Sequence, residues 1–145
     1  MEQFRFQDDH SPVYDYTRFD VDSPAGSRRS IYRFLVRSVP DPFMEALDCA
    51  DPSLLVPTRS VTQTALQSLA TWNNPFVVRQ AEHFASRLSR GSVGLEGQIE
   101  LAYRLALDRE PSSEELEEMI HHAREHGLAS ACRVLFNTSE FFFID

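Results

Sequence analysis

Apolar side chains recur at every third or fourth position in the second half of the chain, and this periodicity constrains the fold more than any other feature. One such stripe consists of Val77, Ala81, Phe84 and Leu88. Because an α-helix has 3.6 residues per turn, this spacing places all four side chains on one helical face. Similar stripes occupy residues 95–106, 116–123 and 128–136. The pattern predicts a mainly α protein, with a small helical bundle of about five short helices over residues 61–145.

Residue types that are common at helix ends separate these stripes. Asn74 and Pro75 suit an N-cap and the first turn that follows it. Ser112 to Glu115 has the spacing of a capping box, in which a serine and a glutamate satisfy each other's backbone N–H groups. Gly91 and Gly127 are expected to end helices. Further caps are expected at Thr62 or Thr64 before a helix through Trp72, and at Ser139 and Glu140 before a last apolar turn at 141–144.

The N-terminal residues 1–26 show no helical period. They contain six acids and two arginines, together with Pro12 and Pro24. We predict an irregular acidic arm with short extended pieces around Phe4–Phe6 and Tyr14–Tyr16. The rest of the chain, 27–145, is predicted to be a single helical domain, with residues 27–60 as an extended, proline-rich lead-in to the bundle.

Residues 27–60 carry the only basic excess, five arginines against four acids. Tyr32, Phe34 and Val36 alternate with arginines at period two, which favours a short β segment near 30–37, although Arg29, Arg33 and Arg37 also match a helical ladder. Four prolines after residue 39 exclude a long helix there and leave room for a turn or two near Phe43–Leu47. We expect the arginines to pair with the chain's own carboxylates or with a partner surface.

Composition excludes several classes of function. The formal net charge is -8, which argues against nucleic-acid binding, because phosphate contacts need a positive surface. All basic residues are arginine, so lysine Schiff-base chemistry is excluded within this sequence. No apolar run approaches the roughly 18 residues of a membrane-spanning helix, and no membrane insertion is expected. Cys49 and Cys132 are compatible with a disulfide or with two reduced thiols.

One motif suggests chemistry. His122, Glu125 and His126 fit the H-x-x-E-H pattern, in which two histidines on one helical face bind zinc and a glutamate activates water. Gly127 would end the helix directly after His126, and only Glu140 remains downstream as a third ligand. A solvated helix face explains the same residues, so we predict no catalytic residue, no metal and no cofactor. A metal-dependent hydrolase using these three residues is the alternative hypothesis.

Several short motifs form a combination that is more specific than any one of them. They are Arg28-Arg29-Ser30-Ile31-Tyr32, Pro42-Phe43, Leu47-Asp48, Thr62 with Thr64, Leu66-Gln67-Ser68-Leu69, Asn74-Pro75-Phe76-Val77 and Asn137-Thr138-Ser139-Glu140-Phe141. Together these segments resemble the C-terminal part of a planctomycete-associated domain of unknown function (the PSD-one type, domain-of-unknown-function family 1553). They extend over residues 24–145. Residues 103–141 also resemble helical modules of bacterial surface proteins that carry an L-x-R-x-P … S-x-E-F pattern.

The resemblance implies a helical region of large bacterial proteins that are exported, periplasmic or on the cell surface. It carries no established activity or catalytic residue, so it assigns no site. Because apolar periodicity, caps and loops account for most residues after 60, we expect a non-catalytic helical domain whose partners are other domains of its parent protein or a separate protein. The first nine residues have acids where a signal peptide has basic residues. We expect no export signal in this stretch, and we expect the chain to be a piece of a longer protein. The sequence predicts neither its localisation nor its oligomeric state.

Overall fold

Helices dominate the part of the chain that the structure, a computed structural model, describes: residues 4–6, 12–36, 39–49 and 64–142. The predicted mainly α fold is confirmed. The described helices are α1 (Pro42–Ala46), α2 (Ala65–Asn73), α3 (Pro75–Gly91), α4 (Leu95–Leu107), α5 (Ser113–His126), α6 (Leu128–Phe136) and α7 (Ser139–Phe142). The chain divides into two units, Met1–Ala70 and Thr71–Asp145. The predicted boundary at residues 26 and 27 stays a prediction.

The first unit begins with a two-stranded hairpin. Strands β1 (Phe4–Phe6) and β2 (Pro12–Tyr14) pair antiparallel, with Phe4 opposite Tyr14. The expected extended piece at Phe4–Phe6 is therefore confirmed. The second expected piece, at Tyr14–Tyr16, ends two residues beyond the observed strand β2. Tyr16–Arg18 forms a 3-10 turn instead of extending the strand. The Asp15 carboxylate starts this turn by accepting a hydrogen bond from the Thr17 backbone N–H, with an N–O distance of 3.0 Å.

The short β segment that we predicted near 30–37 is not a strand among its described residues. Ser30–Tyr32 forms a 3-10 turn, and beyond it the backbone makes one isolated bridge between Val36 and Val39. The Tyr16 hydroxyl supplies the missing partner: it accepts from the Val36 N–H at 3.1 Å and donates to the Val39 carbonyl at 2.8 Å. A side chain thus satisfies backbone groups that a neighbouring strand would otherwise satisfy.

Asp41 anchors the segment that follows. Its carboxylate accepts from the Phe43 N–H at 3.0 Å and so caps α1, the helical turn expected near Phe43–Leu47. Its other oxygen, Oδ2, lies 2.6 Å from Arg33 Nε. Oδ2 has no aligned hydrogen-bond donor among the described residues, so this contact is an ion pair rather than a well-formed hydrogen bond. Since Asp41 is buried, the expected pairing of an arginine with the chain's own carboxylate is confirmed for Arg33.

The second unit is built around α6, which packs against α3, α4 and α5. Fully buried side chains from α3, α4 and α6 form the centre of the core, namely Ala81, Leu88, Ile99, Ala102, Ala131, Cys132 and Leu135. Met119 and Ala123 add the inner face of α5. The apolar stripes in the sequence therefore correspond to the buried faces of the helices.

Most of the expected helix ends are confirmed. The Asn74 side chain accepts from the Phe76 N–H at 2.9 Å, with Pro75 in the first turn. Thr64 caps α2 by accepting from the Gln67 N–H at 3.2 Å; Thr62 lies outside the described residues. Gly127 ends α5 with a φ of 87°, a conformation that favours glycine.

The expected cap of the last turn is wrong. Ser139 and Glu140 lie within α7 instead of preceding it. The hydroxyl of Thr138 takes the capping role, since it accepts from the Phe141 N–H at 3.4 Å. Residues 143 and 144, in the predicted apolar turn, lie outside the described residues.

In the described part of the chain, every helix is too short or too polar to cross a lipid bilayer.

Candidate functional site

A polar cluster of the second unit surrounds Arg109, in the loop between α4 and α5. Asp108 ends α4 in the left-handed conformation, with a φ of 55°, and this turns the chain so that Arg109 follows at once. Beyond the loop, Ser112 and Glu115 form the predicted capping box. We call Arg109, Glu115 and Glu140 the arginine clamp.

The two carboxylates of the clamp come from different elements. Arg109 donates from Nη1 to Glu115 Oε2 at 2.8 Å and from Nη2 to Glu115 Oε1 at 2.7 Å. It donates from Nε to Glu140 Oε1 at 2.7 Å and from Nη2 to Glu140 Oε2 at 2.8 Å. A fifth hydrogen bond runs from Nη1 to the Glu110 carbonyl at 3.0 Å. A guanidinium has five N–H donors, so these bonds occupy every one.

The electrostatics of the clamp follow from this geometry. Hydrogen bonds from Arg109, followed by the bond from the Ser112 N–H, lower the pKa of Glu115 from 4.5 to about 2. Arg109 also lowers the pKa of Glu140. Its hydrogen bonds to both carboxylates, Glu115 first, raise the pKa of Arg109 above its ordinary value. All three side chains are therefore charged at neutral pH.

Tyr103 lies beneath the clamp. The Arg109 guanidinium carbon is 5.2 Å from the centre of the Tyr103 ring, within the range of a cation–π interaction. Tyr103 belongs to the core, and its burial raises the pKa of its phenol. The clamp therefore connects a charged surface network to the buried face of α4.

This arrangement is suited to holding helices together and not to binding an anionic substrate. An arginine that recognises a phosphate or a carboxylate ligand must keep donors available for it. Arg109 donates all of them to this chain's own oxygens, and the two carboxylates outnumber it in charge. Arg109 binds Glu140 of α7, which is 31 residues away in sequence, and also binds Glu115, so the clamp ties α7 to the start of α5.

The residues of the alternative metal hypothesis lie together at the end of α5. The ring centres of His122 and His126 are 4.7 Å apart. His122 Nε2 is hydrogen-bonded to the Ser130 hydroxyl at 3.0 Å. Glu125 contacts both neighbouring histidines, with Oε1 at 3.5 Å from His121 Nε2 and Oε2 at 3.7 Å from His126 Nε2.

The weak point of the metal hypothesis is the identity of the third ligand. Glu140, the downstream candidate, belongs to the arginine clamp. Within the described ranges, no three or more His, Cys, Asp or Glu side chains are grouped as metal ligands. His126 and Glu125 are also more than half exposed, so these residues form part of an open helix surface.

The two cysteines occupy different environments and are both free thiols. Cys132 lies in the core, as its place on an apolar stripe predicts, and burial raises the pKa of its thiol to about 12. Such a thiol is protonated at neutral pH and is a poor nucleophile. Cys49 is exposed.

Sequence reasoning assigned no role to the residues of the arginine clamp, although the sequence contains a signal for two of them. Arg109 stands in the L-x-R-x-P part of the pattern, and Glu140 stands in Ser139-Glu140-Phe141, which resembles its S-x-E-F part. Opposite charges at two separate positions do not by themselves show which carboxylate an arginine contacts, and this chain has 22 acids.

Comparison with known proteins places the chain in a family. A family model described as "Protein of unknown function (DUF1553)", or PSD1, matches residues 5–123. The match begins earlier than the segments that carry the resemblance and ends within α5, so Glu140 lies beyond it. No curated protein and no solved structure matches the chain. Since the matched range is more than half of the sequence, the chain belongs to the DUF1553 family of proteins of unknown function, as its motifs indicate.

Proposed function

We propose that the chain is a non-catalytic helical domain that supports packing and protein interaction within a larger protein. The observation that carries this proposal is the arginine clamp: its cation donates all five N–H groups to oxygens of the same chain. The apolar faces of α3 to α6 are buried against one another. The hydrogen bonds of the clamp thus stabilise this unit.

The proposed parent is a large bacterial protein that is exported or on the cell surface. This part of the proposal rests on the resemblance of residues 103–141 to helical modules of surface proteins. The proposed partners are other domains of that parent or a separate protein. The net charge of -8 is the argument against a nucleic acid.

The second candidate function is a metal-dependent hydrolase. The observation that favours it is the proximity of His122 and His126, whose ring centres are 4.7 Å apart, with Glu125 on the same turn. In that mechanism the histidines would bind the metal and Glu125 would accept a proton from the bound water.

One experiment separates the two functions. The purified chain is incubated with zinc and assayed on ester, phosphate, peptide and glycoside substrates, beside the His122→Ala and Glu125→Gln variants. His83→Ala is the matched control, because His83 is an exposed histidine on α3. The proposal expects the same background rate from all four proteins. Saturable turnover that His122→Ala abolishes and His83→Ala retains would overturn it.

A further inference from the structure

The surface turn at residues 28–34 in the first unit combines exposed arginines with exposed apolar side chains. Ile31 is 82% exposed, Tyr32 68% and Phe34 59%. Arg28 and Arg29 flank them and are also exposed. We call these five residues the arginine–aromatic patch.

Contacts with other residues of the first unit fix the conformation of the segment that carries the patch. Arg33 points inward to the buried Asp41, and the Tyr16 hydroxyl binds the backbone at Val36 and Val39. The ring of Phe34 contacts that of Tyr14, with centres 5.3 Å apart. Because these contacts fix the segment on one side, its other side presents the exposed residues with little entropy left to lose on binding.

Arg28 and Arg29 differ from Arg33 in the groups that they contact. The Arg28 guanidinium carbon lies 5.4 Å from the centre of the Tyr32 ring. Neither Arg28 nor Arg29 forms an ion pair with any described carboxylate. Two cations that have no counter-charge among the described residues, beside apolar side chains, fit a ligand that is both acidic and apolar.

We propose that the arginine–aromatic patch docks an extended, acidic and apolar segment of a partner protein. This inference rests on the proposed function and names the kind of partner. Charge selects the occupant: the chain carries a net charge of -8, so an acidic partner is repelled over most of the surface and attracted at the patch. Such repulsion elsewhere favours one docking position over others. Ile31, Tyr32 and Phe34 contribute the apolar contact that charge alone does not supply.

The test is fluorescence anisotropy with a labelled peptide of about twelve residues that alternates glutamate and leucine, because an extended peptide is recognised through its alternate side chains. The same peptide with glutamine in place of glutamate is the ligand control. The protein variant is Arg28→Glu with Arg29→Glu. Its matched control is Arg87→Glu with Arg90→Glu, which reverses two exposed arginines on α3. An oligothymidylate of similar length tests whether phosphate is the preferred ligand.

We expect saturable binding of the glutamate peptide, weakened about tenfold or more in the Arg28→Glu, Arg29→Glu variant and within about twofold of the original in its control. Replacing Ile31 and Tyr32 by serine is expected to weaken binding as well, and this pair serves as the second variant should the charge reversal impair folding. No saturable binding, an equal loss in the control pair, or tighter binding of the oligothymidylate would each overturn the inference. Enzymatic turnover, by contrast, would overturn the proposed function alone.

Discussion

Arg109 and Glu140 are 31 residues apart in sequence and are joined by two parallel hydrogen bonds, from Nε to Oε1 at 2.7 Å and from Nη2 to Oε2 at 2.8 Å. The paired geometry matches the planar fork of a guanidinium to a carboxylate. Because the same guanidinium also holds Glu115, one side chain connects α5 with α7.

The first prediction concerns the stability that this clamp provides. Arg109→Met keeps much of the aliphatic stem but removes all five hydrogen bonds. We expect a loss of about 1–2 kcal/mol in the free energy of unfolding, less than for a buried charged network, because the three side chains are one third to one half exposed. Urea unfolding followed by circular dichroism measures the loss.

The matched control is Arg124→Met, at an exposed arginine on α5. It should change the free energy of unfolding by less than about 0.5 kcal/mol. Arg109→Lys should recover less than half of the loss, because an ammonium does not reproduce the fork. Equal effects of Arg109→Met and Arg124→Met would contradict a stabilising role for the clamp.

The second prediction concerns pH. Folding lowers the pKa of Glu115 from its reference value of 4.5 to about 2. At pH values between these two, the unfolded state therefore binds more protons than the folded state. Stability from this group is present above about pH 5 and is lost as the pH falls towards 2. We therefore expect Glu115→Gln to be less stable than the original protein at pH 7, and the difference to shrink steadily below pH 5.

The measurement is urea unfolding of both proteins at several pH values between 2 and 7. Glu114→Gln is the control, because Glu114 is the exposed neighbour in the same helical turn. A constant gap between Glu115→Gln and the original protein at all pH values would show that the Glu115 pKa is not lowered by folding.

The third prediction concerns the core of the second unit. Leu88 is completely buried, whereas Leu105 is 43% exposed. Leu88→Ala should cost about 2–5 kcal/mol, because it removes buried methyl groups and leaves a cavity. Leu105→Ala, the same chemical change at the surface, should cost about 1 kcal/mol or less. Thermal and urea unfolding give both values, and similar losses at the two sites would refute the assigned packing of α3.

The fourth prediction concerns the thiols. Cys132 is 1% exposed and the pKa of its thiol is raised to about 12, whereas Cys49 is exposed. Since the thiolate is the reactive form, iodoacetamide near pH 8 should alkylate Cys49 first and Cys132 only after unfolding. Mass spectrometry of peptides from native and urea-treated protein checks this order. Equal labelling of the two cysteines in the native protein would be the contrary result.

Local signals in the sequence predicted much of the second unit correctly. Asn74 with Pro75, Ser112 with Glu115, and Gly127 each mark a helix end where the structure has one. The apolar stripes predicted the inward faces, with Leu88 and Ala123 among the buried residues. These features depend on interactions within a few residues, so a single sequence contains the information needed to place them.

Tertiary contacts determine the features that the local sequence pattern predicted wrongly or did not predict. The alternation at 30–37 favours a strand, but Tyr16, which lies 20 residues before Val36, and Asp41, which follows the segment, satisfy it in another way. The pairing of Arg109 with Glu140 likewise depends on how α7 returns to the start of α5. The sequence by itself therefore determined where helices begin, end and bury a face, because those are short-range properties. Only the folded chain decided which arginine meets which carboxylate, because charge attraction is not specific to one partner until packing brings the partner within hydrogen-bond distance.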